Sequence, residues 1–123
     1  MNEMAEKDVI DIENMIYEID GKEVMLDSDL AKLYNCKIGT KEINQAVKNN
    51  PDKFPSKYSF IFSNQEKENL RSKFLTTNIG NMSRSNPRVF TEQGVYMLAT
   101  ILKSKTATEV SIIIMDTFVK MRH

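Results

Sequence analysis

Lys41, Asn44, Gln45 and Lys48 fall at i, i+3, i+4 and i+7, opposite Ile43, Ala46 and Val47. On a helix, that spacing gathers two amides and two ammonium groups on one face with an apolar stripe behind them. Asn and Gln amides match the adenine edge in the major groove, and Lys reaches guanine or phosphate. The chemistry open to this set is recognition of duplex DNA; an ordinary solvated helix face carries the same spacing. Lys32 and Lys37 flank the turn before this segment, where a preceding helix would cross the phosphate backbone. Lys53 and Lys57 extend the basic track, and so do Arg84 and Arg88 in a stretch rich in Asn, Ser and Thr. The two arginines have the alternative of entering a minor groove. A polar loop of that length is also commonly just mobile.

Nothing in the sequence assembles a catalytic set. The only histidine is His123, which removes His-based triads and zinc sites. Cys36 is the single cysteine, so no internal disulfide forms and a reducing compartment is expected. Lys37 beside it leaves a reactive thiol as one option and a bystander as the other. Glu92 has no neighbouring partner for acid–base or metal chemistry. The expectation is a chain that is not an enzyme and uses no metal and no cofactor. Tyr17, Tyr58, Phe60 and Phe62 have the rings to stack bases on a sheet, but in so short a sheet they read as core.

The 123 residues carry 17 basic and 17 acidic side chains, unevenly placed. Residues 1–29 hold ten acids and two lysines, and residues 30–123 hold fifteen Lys and Arg against seven acids, a split of −8 and +8. A basic body behind an acidic leader suits a polyanionic partner; it also suits a basic domain kept soluble by its leader. With 41% apolar residues, four Gly and three Pro, the chain is too apolar for disorder and too poor in turn formers for a linker. A flexible acidic arm over 1–13 and one folded domain over 14–123 are expected. No apolar run approaches the about twenty residues of a bilayer span, so no membrane contact is expected, and the acidic start is no secretory signal.

The elements that must position these side chains follow from periodicity. Met15 to Leu26 reads as a hairpin turned at Asp20-Gly21, pairing Ile19 with Lys22, Tyr17 with Val24 and Met15 with Leu26. That register puts Met15, Tyr17, Ile19, Val24 and Leu26 on one face and sets Glu18 against Glu23. Asp27-Ser28-Asp29 offers N-caps for a short helix with Leu30, Leu33 and Tyr34 inward. Thr40 caps a second helix reaching Asn49, and Pro51 blocks its continuation. Two short helices around a tight, Gly-containing turn make a helix-turn-helix silhouette.

Lys57 to Phe62 alternates as a strand, and Ser63 with Glu66 forms a capping box that opens a polar helix through Phe74. Residues 76–88 read as a loop, and Val89-Phe90 as a short extended lead. Thr91 caps a helix with Val95, Leu98, Ile101 and Leu102 inward, where Gly94 permits close approach of another backbone. Thr106 and Glu109 form a second capping box for a last helix with Val110, Ile114, Phe118 and Met121 in one stripe. That helix is apolar nearly all round, so part of it is expected to meet another subunit or a downstream chain. The fold class is α+β: an N-terminal β-hairpin, a helix-turn-helix-like pair, a small sheet and a C-terminal helical hairpin.

Three blocks in order resemble one family. Ile16-Tyr-Glu-Ile-Asp-Gly-Lys-Glu-Val-Met-Leu-Asp-Ser-Asp-Leu-Ala-Lys-Leu-Tyr34 resembles the opening of the phage regulatory ORF-six N-terminal domain. Phe90-Thr-Glu-Gln-Gly-Val-Tyr-Met-Leu98 resembles its second signature, and Ile114-Met-Asp-Thr-Phe-Val-Lys-Met-Arg122 its closing helix. The likeness runs from about residue 14 to the end; the acidic arm lies outside it and residues 76–88 match loosely. The family is related to the KilA-N and Bro-N domains. The resemblance implies a DNA-binding module of an antirepressor-type phage or prophage regulator, with double-stranded DNA as partner and the cytoplasm of a bacterial host as its place. The rival expectation is a protein-interaction module that grips a repressor or host protein through its hydrophobic last helix.

Overall fold

The computed structural model describes residues 6–73 and 86–122, which form six α-helices and a four-stranded antiparallel sheet of order β1-β2-β4-β3. The chain is α+β. In order the elements are α1 (Glu6–Met15), β1 (Ile16–Ile19), β2 (Lys22–Leu26), α2 (Asp27–Leu33), α3 (Thr40–Asn49), β3 (Ser59–Ile61), α4 (Asn64–Lys73), β4 (Arg88–Phe90), α5 (Glu92–Leu102) and α6 (Lys105–Met121).

The hairpin keeps the expected register. Ile19 faces Lys22, Tyr17 faces Val24 and Glu18 faces Glu23. Asp20 and Gly21 both have positive φ, as a tight two-residue turn between twisted strands requires. Tyr17, Ile19, Val24 and Leu26 lie on one side with Phe62, Leu70 and Val89. Met15 is the exception to the expected face, because it ends α1 and lies against the opposite core. That larger core joins Ile16, Met25 and Phe90 from the sheet to Leu30, Ile43, Val47, Val95, Leu98, Val110, Ile114 and Phe118 from the helices. Both sheet faces are therefore covered, α4 closing one and the helical body the other.

Further local expectations change. Within the arm expected to be flexible over 1–13, residues from Glu6 on form α1, and Ile12 is fully buried in the larger core. Glu13 also accepts from Lys120 of α6 at 2.8 Å. Packing against a neighbouring helix stabilises a segment whose own periodicity is weak. Arg88-Val89-Phe90, expected as a loop end and a short lead, is the strand between β2 and β3. Gly39, not Thr40, holds the N-cap position of α3, and Leu26 that of α2; neither makes a side-chain cap bond. Ser104, not Thr106, caps α6, its hydroxyl accepting from the Ala107 amide at 2.9 Å.

Other caps fall where expected. Ser63 and Glu66 bond reciprocally, at 2.8 and 3.1 Å. The Thr91 hydroxyl accepts from the Gly94 amide and donates to the Lys57 carbonyl. Gly94 is where two backbones meet: a Cβ there would lie 2.0 Å from the Tyr58 carbonyl oxygen.

Candidate nucleic-acid interface

The α2–α3 pair is built around its turn. Asn35 at φ 61° carries the chain out of α2, while the Cys36 amide donates back to the Ala31 carbonyl and the Asn35 amide to Lys32. This is the left-handed C-terminal closure that Asn tolerates and β-branched residues do not. Gly39, at φ 68°, then redirects the backbone into α3. The Glu42 carboxylate reaches back to accept from the Ile38 amide at 3.2 Å, which ties the turn to the first turn of α3.

Ile43, Ala46 and Val47 are buried, so α3 faces inward as expected. Lys41, Gln45 and Lys48 are exposed. At about 100° per residue these three fall within a wedge of about 60° directly opposite the core. Gln45 donates to Asn49 along the helix, which leaves its amide at the surface. Lys32 and Lys37 are exposed as well, and none of the four lysines enters an ion pair among the described residues. From Leu30 to Lys57 there are six lysines and two acids, so this segment concentrates positive charge.

Asn44 stands apart from that wedge. Its Nδ2 donates to the Asp27 carboxylate at 2.9 Å and to the Thr40 carbonyl at 3.0 Å. The amide expected to meet a base edge instead ties α3 to the first residue of α2. Asp27 is buried, so Asn44 satisfies a carboxylate that burial would otherwise penalise. Arg88 is the second departure. Its guanidinium is half-buried and donates to Ser59 Oγ at 3.1 Å, and that hydroxyl in turn donates to the Val89 carbonyl at 2.9 Å. Burial lowers its pKa while the Asp27 charge raises it. Arg88 belongs to the sheet, beside the α2–α3 pair, and not to a free loop. Arg84 lies outside the described residues.

Other groups have structural roles. Asp29, in the first turn of α2, has a buried carboxylate oxygen without a partner among the described residues, and burial lifts its pKa to about 6. Tyr34 and Ser111 share a buried 2.6 Å hydrogen bond that fastens the turn of the pair to α6; burial pushes the phenol up to about 12. Cys36 is raised, first by burial and then by Glu42, the opposite of an activated thiolate. Tyr17 and Phe62 are core, while Lys22 lies 5.0 Å over the Phe60 ring. Glu92 is paired with Arg122, which joins the start of α5 to the end of α6. Among the described residues no group of three His, Cys, Asp or Glu could hold a metal ion, and no helix is long and apolar enough to cross a membrane.

Two features were not foreseen from spacing. Asp27 is the anchor for Asn44, and Ile38 stands 62% exposed in the turn between Lys37 and Lys41. The alternation of polar and apolar residues could have flagged Ile38, an apolar residue off the buried stripe.

A family model described as the ORF6N domain matches residues 14–101, which takes in the hairpin, the α2–α3 pair, the sheet and nearly all of α5. The block at Ile114–Arg122 lies beyond the matched residues. No curated protein and no solved structure matches the chain. The match covers well over half of the sequence: the chain belongs to the ORF6N domain family, a phage-related regulatory domain.

Proposed function

We propose that this ORF6N domain binds duplex DNA without catalysis, as the DNA-reading part of an antirepressor-type phage or prophage regulator. The observation that carries the reading is the wedge of Lys41, Gln45 and Lys48, exposed on the side of α3 that faces away from the core. α3 enters the major groove, Gln45 meets a base edge, and Lys32, Lys37, Lys41 and Lys48 meet phosphates on either side. Asn44 holds α3 at its angle to α2 and takes no base.

The test is duplex binding over a range of salt. The parent should lose affinity on a log–log line with a slope of about −0.9 per phosphate contacted, and Lys41→Ala or Lys48→Ala should flatten that slope by about one unit on every duplex. Gln45→Ala should cost about 1–3 kcal/mol on the preferred site alone. Flat salt dependence with all variants equal to the parent would sink the reading.

One observation favours a second reading. Ile112 and Val119, seven residues apart and hence on one side of α6, are exposed, as is Tyr96 of α5, apolar side chains of the kind that meet a protein. In that reading a repressor or host protein is the partner. Charge reversal at Lys41 and Lys48 would then leave partner binding unchanged, whereas Ile112→Asp would abolish it.

A further inference from the structure

We propose that Ile38 reads thymine, its side chain meeting the 5-methyl group in the major groove. The inference rests on the reading of α3 as the groove-entering helix and adds a specificity residue to it.

Among the described residues Ile38 is the most exposed large apolar side chain. A single exposed isoleucine needs no explanation by itself; its setting does. The backbone around it is fixed on both sides, by the Ile38 amide on Glu42 and by the Gly39 amide on the Cys36 carbonyl at 3.3 Å. A β-branched side chain on a fixed backbone is a stiff knob with few rotamers. It stands at the start of α3, the end of such a helix that approaches base edges. Lys37 and Lys41, both exposed, flank it in sequence.

An apolar knob between ammonium groups suits few surfaces. Protein interfaces are depleted of Lys around their apolar centres, because burying the ammonium is costly. Duplex DNA offers the opposite arrangement: phosphates on both groove walls and one apolar feature on the floor, the thymine methyl. Lys37 and Lys41 meet the walls while Ile38 meets the floor. Gln45, seven residues further on and exposed on α3, is placed for a different base pair.

The experiment replaces thymine by deoxyuridine, one position at a time, in a duplex selected from a random pool by the full chain. Deoxyuridine lacks only the methyl, so phosphates and hydrogen-bonding edges stay the same. The parent should lose about fourfold in affinity at one or two positions, the worth of burying one methyl-sized group. Ile38→Ala should lose a similar factor on the thymine duplex and become indifferent to deoxyuridine at those positions. Its salt slope should match the parent's, because no charge has changed. Ile112→Ala, an exposed isoleucine on α6, should keep the parent's discrimination. Circular dichroism should show Ile38→Ala folded like the parent.

Salt-dependent duplex binding with no sensitive thymine overturns the role of Ile38 and leaves the α3 reading standing. Discrimination that survives Ile38→Ala does the same. Absence of salt-dependent duplex binding by the parent overturns both.

Discussion

The α2–α3 and α5–α6 pairs use the same device: two helices joined through a residue in the left-handed region, Asn35 in one and Lys103 in the other. Their inner faces are alike, mostly apolar and buried. Their outer faces differ. α3 shows Lys41, Gln45 and Lys48 to solvent, whereas α5 and α6 show Tyr96, Ile112 and Val119. The motif fixes which side is buried and leaves the other side free to carry a role. The exposed side of one pair carries ammonium groups and that of the other carries apolar side chains.

The contrast breaks most sharply at α6. Ile114 is wholly buried, and Ile114→Asp would place an unpaired charge in the core, costing about 4 kcal/mol or more. The expected outcome is loss of the cooperative melt. Lys41→Ala and Lys48→Ala on the other pair should stay within about 0.5 kcal/mol of the parent. Equal losses from both kinds of change would erase the distinction between the pairs.

A smaller effect sharpens the role of Asn44. Asn44→Ala strands the buried Asp27 carboxylate and should cost about 1–3 kcal/mol in denaturant unfolding. Asp27→Asn combined with Asn44→Ala should cost less than the two single changes added together, because they share one contact. Base preference measured on folded protein should stay with Gln45 and not with Asn44.

The last effect is a slope with pH. Asp29 keeps its proton to about pH 6 in the fold against 3.8 for an ordinary aspartate, so the folded state binds more protons between those values. The stability this gives is complete below about pH 4 and fades as pH rises through 6. Asp29→Asn removes the titration. Melting temperatures of parent and variant should lie closest near pH 4, and the variant should gain on the parent towards pH 7. A constant gap would mean that Asp29 is not buried as described.

What could be read from the residues was mostly local. Asp20-Gly21 allowed one turn and hence one register, and Ser63 with Glu66 satisfied each other within four residues. The buried stripe of α3 followed from spacing. Asn44 did not, because it sits at the edge of that stripe, about 60° from Val47, where spacing gives no side and a distant carboxylate decides. The same holds for α1, ordered by a helix some hundred residues along the chain, and for Arg88, whose central strand exists only because β2 and β3 flank it. Thr106 had the capping-box spacing, yet Ser104 began the helix one turn-fraction earlier, an end effect that composition does not resolve. The candidate site was legible as a helix and a charge, and illegible at the two positions where tertiary contacts choose.

The Tyr34–Ser111 bond has a kinetic meaning. It joins residues 77 apart in sequence, so the turn of the α2–α3 pair is secured by a helix made much later. Closing a loop between such distant residues costs more chain entropy than a local turn, and a fold rich in such contacts forms more slowly. On the ribosome, α3 emerges well before the helix that holds its neighbour in place. The lysine-bearing helix is therefore synthesised well before the helix that anchors the turn preceding it.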